Sequence, residues 1–307
     1  MVKNFLFHRV YSERDILWDP IDPTLFDKCI RFISSHYEIV LLEDLFKKNF
    51  AYSKKDKFAT IVFDDGYKDN IEYALPILEK YNVKASFYIV TDCIEKNTPT
   101  WTYILDYSFQ FTNRELINLE FDFLPQELRI RKLHGKKERI DYVKKLKPII
   151  KNLSHENRLK VMATVREVFD DIELPSLMMN WDDLRQLNNK GHYVGSHTVT
   201  HSMLGTMTNE DDIKRELIES GDKIKLELGY FPSTISYPVG SYNQTTIQLS
   251  KAAGYKIGLA VKQLTYHPEK HQCFEIPRIE LYNEPWFKTF LRIENVLGNV
   301  SRFLNRV

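Results

Sequence analysis

The chain has 307 residues and a formal net charge of +1, from 43 Lys and Arg against 42 Asp and Glu. That balance argues against an affinity for nucleic acid resting on a basic face, so no nucleic-acid partner is expected. With 43% hydrophobic and 13% aromatic residues, the chain is too apolar for disorder and carries ample material for a large core.

Short apolar runs alternate with helical patterns over most of the length. Asn4-Phe5-Leu6-Phe7 is the first run. Residues 24–35 follow, with Leu25, Phe26, Cys29, Ile30 and Ile33 at helical spacing. Residues 38–42 read as a strand, and Leu45 lies on a short helix. Residues 58–63 are the clearest strand, closed by Asp64-Asp65-Gly66. Residues 71–81 place Ala74, Leu75, Ile77 and Leu78 on one helical face, and residues 85–90 form the next strand. Strands alternating with helices predict parallel βα units. Residues 94–180 break the rhythm: they show no evident β-run, and 124–171, rich in Lys, Arg, Glu and Leu, read as two or three helices. This segment is predicted to be a helical insertion that shapes substrate access, because the loops at strand C-termini build barrel sites. The alternation then resumes, with strands at 192–196, 234–237, 256–260 and 274–279 and helices at 210–228 and 245–253.

The prediction is an α/β chain, an irregular (β/α) barrel of seven or eight parallel strands, with residues 1–307 as one domain. Residues 285–307 read as a last amphipathic helix. Trp286, Phe287, Phe290, Leu291, Ile293, Leu297, Val300, Leu304 and Val307 form its apolar stripe, with Lys288, Arg292, Arg302 and Arg306 on other faces. Such a helix either closes the barrel or makes peripheral contact with an anionic membrane. Cys29, Cys93 and Cys273 are widely spaced and suggest neither a disulfide framework nor a zinc ribbon. The opening apolar run is too short for a signal-peptide core, and no window approaches the roughly 18 apolar residues of a membrane span. The expectation is a cytoplasmic protein, with the inner membrane face as the alternative for the last helix.

Two constellations carry chemistry. Phe63-Asp64-Asp65-Gly66 ends an apolar strand. Adjacent side chains on an extended chain point to opposite sides, so one carboxylate can ligate a metal while the other faces a substrate. An ordinary Asp-Gly turn is the plain alternative. Ser196-His197-Thr198-Val199-Thr200-His201 is the second, and its two histidines share one face if the segment is helical. Imidazoles suit borderline divalent metals. Two histidines and a carboxylate leave coordination positions open, which is the catalytic pattern. A metal so held activates water, and a spare carboxylate can take the water's proton.

These motifs, in this order, resemble the polysaccharide deacetylase family, also called the NodB-homology domain or carbohydrate esterase family four. The resemblance runs from His8 to about Leu281 with the insertion excepted, and Trp181-Asp182-Asp183-Leu184 with Gly191-His192 fits the approach to the second motif. It implies Asp64 as general base, with Asp65, His197 and His201 as ligands of a divalent metal, by default Zn2+, with Co2+, Ni2+ or Fe2+ also suited to such donors. Ser236-Tyr237-Pro238-Val239-Gly240 aligns with the third motif, with Ser236 where an Arg is expected and Val239 where an aromatic is expected. Tyr237 and Val239 are then candidates for substrate and oxyanion binding, the latter through its backbone N–H. Arg278, in a late Pro-Arg, is the candidate to replace the missing Arg beside Asp64. His8, at the end of the first strand, is the candidate general acid, with His267 and His271 as alternatives. The implied activity is metal-dependent removal of an N-acetyl group from an amino sugar, nucleotide-linked, lipid-linked or oligomeric. The rivals are hydrolysis of a non-sugar or formyl amide, metal binding without hydrolysis, and a scaffold or membrane-adaptor role for the insertion and tail helix.

Overall fold

The computed structural model describes residues 1–47, 50 and 56–296. In chain order the strands are β1 (Val2–Phe7), β2 (Glu38–Ile39), β3 (Phe58–Asp65), β4 (Ser86–Ile89), β5 (Leu116–Asn118), β6 (Ile130–Lys132), β7 (Tyr193–Ser196), β8 (Thr234–Ser236), β9 (Ile257–Leu259) and β10 (Ile279–Glu280). The helices are α1 (Pro23–His36), α2 (Leu75–Lys80), α3 (Thr91–Lys96), α4 (Trp101–Phe111), α5 (Gly135–Asn152), α6 (His155–Val168), α7 (Trp181–Asn189), α8 (Glu210–Leu228), α9 (Gln244–Ala252) and α10 (Trp286–Ile293).

β1 and β3 are buried at every position. Strands apolar on both faces are what a parallel sheet under helical cover requires. Seven parallel strands run in the order β10-β1-β3-β4-β7-β8-β9, and β2 pairs with the first residues of β3. A parallel bridge between Leu259 and Ile276 links the two ends of this curled sheet, giving a barrel-like (β/α) fold. Register aligns Phe7 with Phe63 and Phe63 with Phe87, and their rings stack at 5.5 and 4.9 Å. The same register sets Asp65 beside Ile89, Ile89 beside Ser196, and Ser196 beside Ile235. The Asp-Asp motif and the start of the His motif therefore lie in one row, at the C-terminal rim.

The sequence pattern overstated some strands. Residues 41 and 42 leave the sheet as a short 3-10 turn begins at Leu42, while Val40 still donates to the Ala59 carbonyl, and of the late run 274–279 only Ile279 joins β1, with Glu280 after it. Within the insertion, β5 and β6 form an antiparallel hairpin that the sequence reading lacked. Only Ile117 of their six residues is buried, so no apolar run marks them. The insertion builds its own core from Leu105, Phe109, Val143, Leu146, Ile150 and Val165.

α1 starts where Asp22 accepts from the Thr24 and Leu25 amides and Pro23 presets the first turn. α10 packs on it, with Phe32 edge-on to Trp286 and Phe290 at 5.7 and 5.6 Å. Leu297, Val300, Leu304, Val307, Arg302 and Arg306 of the expected tail helix lie outside the described residues. No helix among the described residues is long and apolar enough to cross a membrane. The three cysteines are free thiols, with Cys29 and Cys93 buried.

Candidate active site

At the C-terminal rim a cavity of about 240 Å3 is lined by His8, Trp18, Asp64, Asp65, His197, His201 and Val239 together with residues of the insertion. Asp64 and Asp65 both face it, against the expectation of opposite sides. The reason is local: Asp65 adopts φ 77, so strand alternation fails at that residue. Gly66 follows at φ 90, and a Cβ there would stand 3.0 Å from Ile94 and 3.1 Å from Ile89, so only glycine fits.

The His segment is an irregular loop rather than a helical turn. Its two imidazoles converge because Thr198 (φ 70) and His201 (φ 61) are left-handed. A β-branched residue in that region is strained, and such strain persists only where surroundings enforce it. Here Thr91 and Asp92 amides of α3 donate to the Thr198 and Val199 carbonyls at 3.2 and 2.9 Å. Glu216 of α8 accepts from the Val199 and Thr200 amides, each at 2.9 Å, and from the Thr200 hydroxyl. Trp101 Nε1 of the insertion donates to the His201 carbonyl at 3.2 Å.

The outcome is a compact donor set. One ligand atom from each of Asp65, His197 and His201 lies within 4.8 Å of the others. His197 Nε2 and His201 Nε2 stand 3.4 and 3.3 Å from Asp65 Oδ1, a buried oxygen with no hydrogen-bond partner. His197 Nδ1 lies 2.7 Å from the Ser236 carbonyl, which can only accept, so in the neutral ring Nδ1 carries the proton and Nε2 keeps the lone pair that a metal needs. An orphaned carboxylate oxygen facing two ring nitrogens fits a divalent cation held by two nitrogens and one oxygen.

Asp64 lies beside this set. Arg278 Nη1 donates to its Oδ1 at 2.8 Å, and Ser236 Oγ to its Oδ2 at 3.1 Å. Arg278 is wholly buried and also donates from Nε to the Ala260 carbonyl. Burial alone would raise the Asp64 carboxyl, but the charges of Arg278 and His197 outweigh it and hold Asp64 below the ordinary carboxylate range. Asp65 is likewise buried, and its contacts with His197 and His201 hold it well below that range. Burial disfavours both imidazolium forms; Asp64 and Asp65 reverse this at His197, while His201 stays lowered.

His8 lines the cavity at the end of β1, with Nδ1 3.5 Å from Glu280 Oε1 and its ring edge-on to Trp18 at 5.3 Å. Its carbonyl accepts from Asn70 Nδ2 at 2.8 Å. His267 and His271 are not brought to this site. The adjacent Tyr266 pairs with Val2 at the opposite end of β1, and both histidines line a separate cavity there with Met1 and Lys3. Val239 reaches the rim at φ 56. Tyr237 does not: its ring is buried in an apolar cluster with Ile213, Leu217 and Ile247 and stacks on Tyr242 at 4.8 Å. The third-motif strand ends at Ser236, whose hydroxyl rather than the tyrosine meets Asp64.

The sequence model of the polysaccharide deacetylase family matches residues 51–258. The chain belongs to that family. YxkH of Bacillus subtilis is 20% identical over 210 residues, which cover 67% of this chain and 46% of YxkH, so the chain spans about half the length of this curated relative. Deacetylase PplD of Streptococcus pyogenes, solved in complex with acetate, is 17% identical over 96% of both chains with a TM-score of 0.61. A de-N-acetylase of Aggregatibacter actinomycetemcomitans is 16% identical, with 95% of this chain and 99% of that chain covered and a TM-score of 0.62. At such identities the two structures establish a shared fold.

Proposed function

We propose that the chain is a metal-dependent hydrolase that removes an N-acetyl group from an amino sugar of a glycan precursor or oligosaccharide. The observation carrying this reading is the convergence of Asp65, His197 and His201 beside a buried Asp64–Arg278 pair in one cavity. Family membership and the acetate complex of the S. pyogenes relative support the deacetylase class.

Asp65 Oδ1, His197 Nε2 and His201 Nε2 would hold the cation, with zinc the best match to the donors and cobalt, nickel or iron also accommodated. When bound, it supplies an activated water and a polarised acyl oxygen. Asp64, kept ionised and aimed by Arg278 and Ser236, takes the proton of the attacking water. As water adds to the acyl carbon, the Val239 N–H donates to the acyl oxygen while its charge grows. The C–N bond then breaks, and His8, oriented through Nδ1 by Glu280, protonates the departing amine. The products are acetate and the free amino sugar.

The direct test is acetate release from nucleotide-linked, lipid-linked and oligomeric N-acetyl sugars. Release is expected to stop on chelation and return with added zinc or cobalt. Chelator-insensitive release, or bound metal with no acetate from any substrate, would overturn the reading.

A second expectation concerns Glu216, the acceptor behind the ligand loop. Glu216→Gln leaves one acceptor where two oxygens are engaged, so the loop loosens. Metal affinity, measured by competition with a chromogenic chelator, is expected to fall about 10–100-fold. Unchanged affinity would remove Glu216 from the positioning of His197 and His201.

A further inference from the structure

Helix α5 of the insertion reaches the catalytic cavity with Lys147 and Lys151, four residues apart and so on one helical face. Asp106 of α4 lines the same wall. The two lysines differ in what they meet. Lys147 Nζ is held by Asp106 Oδ2. Lys151 is half-buried, and among the described residues its ammonium has neither an ion pair nor a hydrogen bond. Burial and the neighbouring Lys147 lower its pKa, against a weaker pull from Asp106 and Glu280. Asp106 is 4% exposed, and its Oδ1 is buried with no partner. The wall thus offers an ammonium without a direct counter-ion in the cavity of Asp64 and Asp65. Desolvating an ammonium without a counter-charge is costly, and an anion arriving with the substrate is what offsets it.

We propose that Lys151, Lys147 and Asp106 form an anion subsite of the catalytic cavity. Lys151 receives an oxyanion, a phosphate or a carboxylate, carried by the glycan, on the wall it shares with Asp106. Lys147 holds Asp106 in place through its ion pair. The substrate class is then an acidic glycan, a restriction that rests on the deacetylase reading for its reaction though not for its binding.

The test is calorimetric binding to the metal-loaded full chain at low ionic strength. The probes are N-acetylglucosamine 1-phosphate, N-acetylmuramic acid and the neutral methyl glycoside of N-acetylglucosamine. The wild type is expected to bind an anionic probe at least about tenfold more tightly than the neutral one. The tighter of the two anionic probes separates phosphate from carboxylate. Lys151→Met is expected to bring the anionic-to-neutral ratio close to one, while Lys151→Arg keeps most of it. Lys151→Met retains the metal ligands, so a ratio unchanged in that variant means the anion sits on the metal and overturns the subsite. Equal binding of all probes by the wild type overturns it too. A preference that Lys151→Met abolishes, with no acetate released by the same metal-loaded chain from any nucleotide-linked, lipid-linked or oligomeric N-acetyl sugar, upholds the subsite and removes the hydrolase reading. Acetate release with no anion preference does the reverse.

Discussion

Asp64→Asn is expected to lower kcat for acetate release by about 10²–10⁴-fold while leaving the metal bound. The two halves of this expectation come from different atoms. The proposed ligand atoms belong to Asp65, His197 and His201, and none is altered. An asparagine occupies the same volume and keeps an oxygen for Arg278 Nη1. Its amide nitrogen then faces Ser236 Oγ, whose hydroxyl can turn to accept. The geometry survives, but the amide cannot take a proton. The change also leaves Arg278 buried without its counter-charge, which costs about 3 kcal/mol of stability. Activity is therefore read well below the variant's unfolding temperature, with metal content measured on the same sample. Near-wild-type turnover would end the role of Asp64 as base. Loss of metal together with activity would move Asp64 into the ligand set.

The fold was legible because burial on both faces leaves a strong mark. The largely apolar runs ending at Phe7 and Phe63 announce interior parallel strands, and the charge-rich stretch up to Asp171 announces helices that are only half covered. The β5–β6 hairpin left no such mark, since it exposes nearly every residue. The placement of Asp64, Asp65, His197 and His201 on one rim followed from strand-end position. How the pairs converge did not, because it depends on left-handed backbone at Asp65, Thr198 and His201: Asp and His adopt it only occasionally, and a β-branched Thr argues against it. Tyr237 misled for a related reason: a motif position was read as a side chain facing the cavity, whereas the chain turns at Pro238 with the ring still in the core. Ser236 registered only as a missing arginine, yet its carbonyl and hydroxyl touch His197 and Asp64. Glu216, Glu280 and Lys151 sit among other charged residues, and only the fold distinguishes them from a solvated face.

Arg278→Met is expected to destabilise the chain by about 3–5 kcal/mol at neutral pH, because it removes one partner of a buried ion pair. Arg278 lies just before β10, on the segment that bridges to β9 at Ile276 and pairs with β1 at Ile279, and its guanidinium crosses that seam by donating to Ala260 and Asp64. The sign of the pH dependence separates this electrostatic role from simple packing. In the wild type Asp64 titrates below the ordinary carboxylate value, so its ionised form adds stability above that value, and this is lost as pH falls through the folded pKa. Without Arg278 the desolvation of Asp64 is no longer outweighed, and its pKa rises above the unfolded value. The variant then carries a buried charge at neutral pH that protonation relieves. Urea unfolding of the chelated chains should show the gap between wild type and Arg278→Met narrowing as pH falls toward 4, the region where an ordinary carboxyl titrates. The acid limb of kcat/KM for the metal-loaded enzyme should move to higher pH in the same variant. Arg278→Lys keeps the charge but not the planar fork, so it should recover much of the pH profile and less of the stability. A pH-independent stability gap, or an acid limb that stays in place, would reduce Arg278 to a packing residue and leave Asp64 without its electrostatic support.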